Sequence, residues 1–395
     1  KKGMVMNMNN KNWVSVWGNA VSIAEHHPEA YAKYITLRYP VYIPFDGDTL
    51  RFTFDNFCGS EAVTVTRATV SAATSPVYEK MPLACPCKKE TICDITFSKN
   101  ESVTMEAHQT AVSDPVSFPV KKGMTLTVSL YFADFTLMQS AVLVTGPLSK
   151  GFFSLGDQTH ADTLPMDTTK TTNWFYFLSN IELMTAEENH TVICYGDSIT
   201  AGAWPDYLTL LARQNPDNHT AFIRRATSGS RVLRQYECIT YDSYGLKGTN
   251  RFPHEIPTTG ADTVIIQQGI NDIIHPIGIE TNPFRPMSDL PTAKELIDGY
   301  RYYIEEAKKL HLKVYMGTLL PIFGWRTYAT FRDDLRNELN AWIRSAKEID
   351  GCIDFDLALR GSENPSAFRE GFDSGDHLHP SSKAYQAMAE CAYEV

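Results

Sequence analysis

The chain has 395 residues, with 36 basic and 46 acidic side chains and a formal net charge of -10. That length exceeds one ordinary core and suits two domains, and the negative balance lacks the electrostatic footprint of a nucleic-acid or anionic-membrane binder. No apolar run approaches the roughly 20 residues that a bilayer-spanning helix needs.

The opening KKGMVMNMNN carries two lysines but no apolar h-region, so no signal peptide is visible in it, and a cytoplasmic location is expected. From about residue 30 to 185 short β-rich runs alternate with turn signals: YITLRYPVYI, TLRFTFDNF, AVTVTRATVSA, MTLTVSLYF and AVLVTG. Val, Ile, Thr and aromatics at period two, broken by Gly, Pro, Asn and Asp, predict an antiparallel β-sandwich or jelly-roll-like domain over residues 1–187. Within it CPCKKETIC brings Cys85, Cys87 and Cys93 together. The spacing departs from paired C-x-x-C knuckles and no histidine is near, so free thiols in a loop or hairpin are expected rather than a metal site. The eight cysteines as a set form no dense disulfide pattern.

From about residue 188 strand-like runs alternate with segments of helical period. TVICY, AFIRRA, TVIIQQ, KVYMGTLL and CIDFD are the strands. One helix places Leu296, Ile297, Tyr300, Ile304 and Ala307 on a face; another places Phe331, Leu335, Leu339, Trp342, Ile343 and Ala346. This alternation predicts a five-stranded parallel sheet in a three-layer α/β/α domain over 188–395. In such sheets functional groups collect at the carboxyl edge of the strands. TVICY runs into Gly196-Asp197-Ser198, AFIRRA into Thr227-Ser228-Gly229, and TVIIQQ into Gly269-Ile270-Asn271-Asp272; DSGDHLHP follows CIDFD downstream.

A serine hydroxyl needs a base, and the base an orienting acceptor. Asp376 and His379 in DHLHP are three apart and can bond to each other on a tight turn, although His377 competes as base and Asp373 as its partner. A zinc site from Asp376, His377 and His379 is disfavoured because all three do not converge easily from adjacent turns. The Ser198 and Gly229 N–H groups and the Asn271 amide are candidate oxyanion donors. Asp272 reads as structural, and His254 and His275 as locally hydrogen-bonded. Trp204 and Trp325 are aromatics that could stack on a sugar ring, although packing is the commoner use. An α/β-hydrolase elbow is not supported, since Ile199 and Thr200 follow the serine where G-x-S-x-G needs glycine at the second position.

Gly196-Asp197-Ser198, Gly229, the GIND of 269–272 and Asp376-x-x-His379 resemble, in order, the four blocks of the SGNH or GDSL-type esterase superfamily. The resemblance runs over roughly 190–393, with Ile199 in place of the namesake leucine and ATSGSR around Gly229. Text like TLRYPVYI and LRFTFDNFCG is similar to the N-terminal β-domain of some members. The resemblance implies a flavodoxin-like α/β/α hydrolase with Ser198 as nucleophile, His379 as base and Asp376 as its orienter. It also implies an oxyanion hole of Ser198, Gly229 and Asn271, and no cofactor or metal. The expected function is hydrolysis of short acyl, chiefly acetyl, esters on small molecules or oligosaccharides. The alternatives are a lysophospholipase or thioesterase, and a non-catalytic glycan-binding module. The sequence leaves the oligomeric state open.

Overall fold

The computed structural model describes residues 11–25 and 30–394; the KKGMVMNMNN segment lies outside them. Two antiparallel sheets make up most of the first half. In one, Lys11–Gly18 pairs with Leu178–Ala186, which pairs with Gly47–Asp55, and that strand also pairs with Thr110–Val112 and Val116–Val120. In the other, the order is Lys170–Thr172, Gly151–Leu155, Ile35–Tyr42, Thr125–Phe132, Arg67–Ala72 and Cys93–Ile95. Alternation at period two turns Leu50, Phe52 and Phe54 of the first sheet and Leu37, Tyr39 and Val41 of the second inward, where they share one core. Cys85 and Cys87 are buried in an irregular segment and Cys93 opens a strand.

The second half is a five-stranded all-parallel sheet in the order Thr220–Ala226, His190–Gly196, Ala261–Gln267, Lys313–Gly317, Gly351–Ile353. The chain goes outward once and then returns across the first strand, so right-handed crossovers put helices on opposite faces. Trp204–Gln214 and Ser382–Tyr393 cover one face; Gly248–Glu255, Ala293–Lys309 and Thr330–Ser345 cover the other. Ala293–Lys309 starts with a capping box at Thr292 and Glu295, and it buries Leu296, Tyr300, Ile304 and Ala307 as expected. Thr330–Ser345 differs from expectation: Phe331 is exposed, and the inward face is Arg332, Asp333, Arg336, Leu339, Asn340 and Ile343. These polar groups are buried because each has partners. Arg336 pairs with Asp333 and Asp356 at 2.8 Å, and Asn340 bonds both backbone groups of Leu319.

The two halves meet along the edge strand Thr220–Ala226, whose Ala221 and Ala226 join the antiparallel core. Neighbouring arginines on that strand point to opposite faces and tie it down. Arg224 bonds Ser149 Oγ (2.8 Å), Asp206 Oδ1 (2.9 Å) and the carbonyls of Thr200 and Gly202; Arg225 bonds the carbonyls of Asn19, Ser179 and Glu255 and Asn180 Oδ1. Trp204 is fully enclosed, with its indole N–H on Thr200 Oγ1 at 3.3 Å and its ring tilted against Phe355. It is a packing residue and not an exposed sugar platform.

Candidate active site

The central strand His190–Gly196 ends at Asp197, which caps the short helix Ser198–Ala201 through Oδ1 and the Ile199 N–H at 3.0 Å. A residue at position 196 has no room for a side chain, since a Cβ would lie 2.4 Å from both the Gln267 carbonyl and Thr200 Oγ1. The turn that carries Ser198 is thus pressed against the neighbouring strand, with the half-buried Ser198 at its tip. Asp197 beneath it is completely buried, and that burial raises its carboxyl to about 7.

Ser198 Oγ lies 2.9 Å from His379 Nε2, and His379 Nδ1 lies 2.6 Å from Asp376 Oδ2. The other oxygen of Asp376 accepts the N–H groups of His379 (2.8 Å) and Leu378 (2.9 Å) and the Ser374 hydroxyl (3.1 Å). Burial alone would raise this carboxyl, but the His379 ring and those N–H groups outweigh it and hold the pKa at about 2. An ionised Asp376 on Nδ1 fixes the tautomer with the proton on Nδ1, leaving Nε2 free to accept from Ser198.

The competing pair is also formed, but elsewhere. His377 bonds Asp373 through Nδ1 and adopts a left-handed φ of 67°, and its ring packs over Gly324, where a Cβ would lie 2.8 Å from it. Asp376 and His379 turn to Ser198 while His377 turns away, so these three groups do not converge. Among the described residues no group of three or more His, Cys, Asp or Glu is placed to hold a metal ion.

Ser198, Gly229 and Asn271 line one cleft of about 410 Å³, together with Tyr244, Trp325 and Arg326 and the Asp376–His379 loop. This volume falls within the range of small-molecule sites. Ser198 is the first residue of its helix, so its N–H has no partner within that helix. Gly229 has φ 78°, and a Cβ there would stand 2.3 Å from the Tyr244 ring; both facts require glycine. Asn271 follows Gly269 (φ 130°) in the first turn of Ile270–Ile274, and its Nδ2 donates to the Ser230 carbonyl at 3.1 Å, leaving one amide hydrogen uncommitted by that bond. Asp272 is structural, as expected: its two oxygens accept Val232 N (2.8 Å) and Leu233 N (3.0 Å), and burial raises its carboxyl to about 6. His254 bonds Asp55, and His275 bonds the Tyr236 hydroxyl at 3.1 Å, its pKa driven far down by burial and then by Arg285 and Arg231.

Two contributors were not found from the sequence. Arg251, wholly buried on helix Gly248–Glu255, donates to the Gly196 carbonyl (2.9 Å), the Arg225 carbonyl (3.3 Å) and Ser230 Oγ (3.2 Å), pinning together the strand ends that carry Ser198 and Gly229. Tyr244 belongs to a group of rings, Tyr236, Tyr241, Tyr244 and His275, with Arg285 4.5 Å above the Tyr241 centroid. The run YECITYDSY advertised these aromatics, but nothing local announced that they fold against the cleft.

A hydroxyl, an imidazole and a carboxylate in line at the carboxyl edge of a parallel sheet define a serine-hydrolase arrangement in an α/β/α frame. Residues 194–387 match the model of the GDSL-like lipase/acylhydrolase family. No curated protein matches the chain. Among solved structures, it is similar to a GDSL-like lipase from Bacteroides thetaiotaomicron, with 20% identity, 53% of this chain and 87% of that one covered, and a TM-score of 0.38. It is also similar to an acetylxylan esterase from Geobacillus stearothermophilus (17% identity, 52% and 93% covered, TM-score 0.39) and to a lipolytic protein of the G-D-S-L family from Veillonella parvula (18%, 52% and 97%, 0.35).

Proposed function

We propose that the chain is a serine esterase that removes short acyl groups, acetyl foremost, from hydroxyls of a carbohydrate. The observation that carries the reading is the line from Ser198 Oγ to His379 Nε2 at 2.9 Å and from His379 Nδ1 to Asp376 Oδ2 at 2.6 Å. In this reading residues 188–395 are the catalytic domain and residues 1–187 an appended β-domain.

Ser198 Oγ attacks the acyl carbonyl as its proton passes to His379 Nε2, and the imidazolium that forms is stabilised by Asp376. Negative charge gathers on the former carbonyl oxygen, where the Ser198 and Gly229 N–H groups and Asn271 Nδ2 donate. His379 then protonates the departing alcohol oxygen. In the second half a water gives its proton to His379 and attacks the acyl carbonyl, and Ser198 leaves with the proton returned.

Two features of the cleft favour a sugar ester over a long acyl chain. Its lining sets Tyr244, Trp325 and Arg326 beside two aliphatic side chains, Ile274 and Leu378. Trp325 Nε1 is a buried donor with no hydrogen-bond partner among the described residues, an arrangement suited to a substrate oxygen.

The test is hydrolysis of p-nitrophenyl esters of rising chain length and of acetylated oligosaccharides by the wild type and by Ser198→Ala. Preference for acetyl, acetate release from the saccharides and loss of both in the variant support the reading. Preference for long chains would replace the sugar substrate with a lysophospholipid or thioester. Equal rates for the two proteins would remove the catalytic assignment.

A further inference from the structure

A second cleft, of about 310 Å³, lies where helix Gly248–Glu255 and the edge strand of the parallel sheet meet the antiparallel sheet of Gly47–Asp55 and Leu178–Ala186. It shares no lining residue with the cleft at Ser198. Its floor holds Glu255, whose side chain is only 3% exposed. Glu255 Oε2 stands 3.2 Å from Arg251 Nε, yet neither carboxylate oxygen accepts a hydrogen bond from any described residue. Buried carboxylate oxygens ordinarily take several hydrogen bonds, and leaving them without donors is costly.

The surrounding groups define what such a ligand must bring. The donors of Arg225 are directed to the carbonyls of Asn19, Ser179 and Glu255 and to Asn180 Oδ1. His254 gives Nε2 to Asp55 at 2.8 Å, and Glu182 is paired with Arg51. Three carboxylates, Glu255, Asp55 and Glu182, are balanced by Arg225, Arg51 and Arg251, so with the His254 ring neutral neither an anion nor a cation finds an uncompensated opposite charge. What the cleft offers in excess is acceptors: Glu255 and the hydroxyl oxygens of Thr53, Thr110 and Ser179. A neutral molecule with several hydroxyl donors satisfies that inventory.

We propose that this cleft is a second binding site, taking a neutral polyhydroxyl ligand such as an unacylated sugar unit, with Glu255 as its principal hydrogen-bond acceptor. It is a property of the contact between the two halves and does not depend on hydrolysis at Ser198.

The test is calorimetric titration of Ser198→Ala with unacylated xylotriose, cellotriose, mannotriose and galactotriose, repeated with Glu255→Gln and with Thr110→Trp added. Thr110 is exposed at the cleft, so filling it with tryptophan leaves the core alone even if Glu255→Gln unfolds the protein. The expected result is binding of at least one saccharide that weakens tenfold or more in Thr110→Trp, while Thr110→Trp in the otherwise wild-type chain keeps its p-nitrophenyl acetate turnover. The proposal is overturned if no saccharide of the panel binds, or if binding survives Thr110→Trp unchanged, which would place the sugar in the cleft at Ser198 instead.

Discussion

Asp376 grips His379 twice, by a ring contact of 2.6 Å from Oδ2 to Nδ1 and by an Oδ1 bond of 2.8 Å to the His379 backbone N–H. The three-residue spacing makes this possible, because a tight turn brings a side chain back over the N–H groups that follow it. The His379 ring is therefore oriented by a loop closed on itself. Asp376→Asn keeps the size of the side chain but offers Nδ1 a donor or a neutral acceptor, and is expected to lower kcat about 10⁴-fold with the fold intact. His377→Asn, which tolerates the left-handed backbone at that position, is expected to stay within a few-fold of wild type. Steady-state kinetics on one short ester distinguish the two pairs, and the reverse ranking would move the base to His377.

Asn271→Ala removes a proposed oxyanion donor and is expected to reduce kcat by about 10²–10³ with KM nearly unchanged. The bond from Asn271 Nδ2 to the Ser230 carbonyl is lost as well, a single contact, so the thermal midpoint should shift by little more than one neutral hydrogen bond allows. A large loss of stability with unchanged kcat would show the amide to be structural only.

Gly229→Ala combines a positive φ with a Cβ 2.3 Å from the Tyr244 ring. Either the turn or Tyr244 has to shift, and since Gly229 and Tyr244 both border the cleft, kcat should fall tenfold or more. Full activity in Gly229→Ala would exclude a role for this turn.

The pH response follows from two groups with opposite signs. Asp376 is depressed to about 2, so its contribution is present above the ordinary carboxylate value and lost only as pH falls through about 2. Between the ordinary carboxylate value and neutrality the kcat/KM profile should accordingly carry no limb from Asp376. His254 is raised: burial lowers it, but Asp55 and then Glu255 outweigh both burial and Arg225. A raised histidine contributes fully below its ordinary value of 6.5 and loses that contribution as pH rises through the raised value. The thermal midpoint is expected to fall from pH 6.5 toward alkaline pH more steeply in the wild type than in His254→Asn; parallel curves would contradict this.

The strand pattern of the parallel sheet was legible because short apolar runs alternate with segments of helical period, and Ser198, Gly229 and Asn271 follow the ends of three of those runs, with Asp376 and His379 downstream of the last. Less legible were sites where polar residues do the work of apolar ones. Arg332, Arg336 and Asn340 lie on the buried face of their helix because carbonyls and carboxylates await them there, so hydrophobic periodicity pointed instead to the exposed Phe331. Arg251 and Arg225 were silent for the same reason, since their partners are main-chain carbonyls far away in sequence. Trp204 sits close after Ser198 in the chain, yet the helix it begins turns it into the core against Phe355.

In the proposed mechanism Ser198 Oγ carries the acyl group from the departing alcohol to water. The most direct measurement is peptide mass spectrometry after rapid acid quench of the protein with p-nitrophenyl acetate. The account predicts a single acetyl group on the peptide that contains Ser198, appearing within the burst of nitrophenol and absent from Ser198→Ala. Acetyl on another residue, or a burst that persists undiminished in Ser198→Ala, would contradict it.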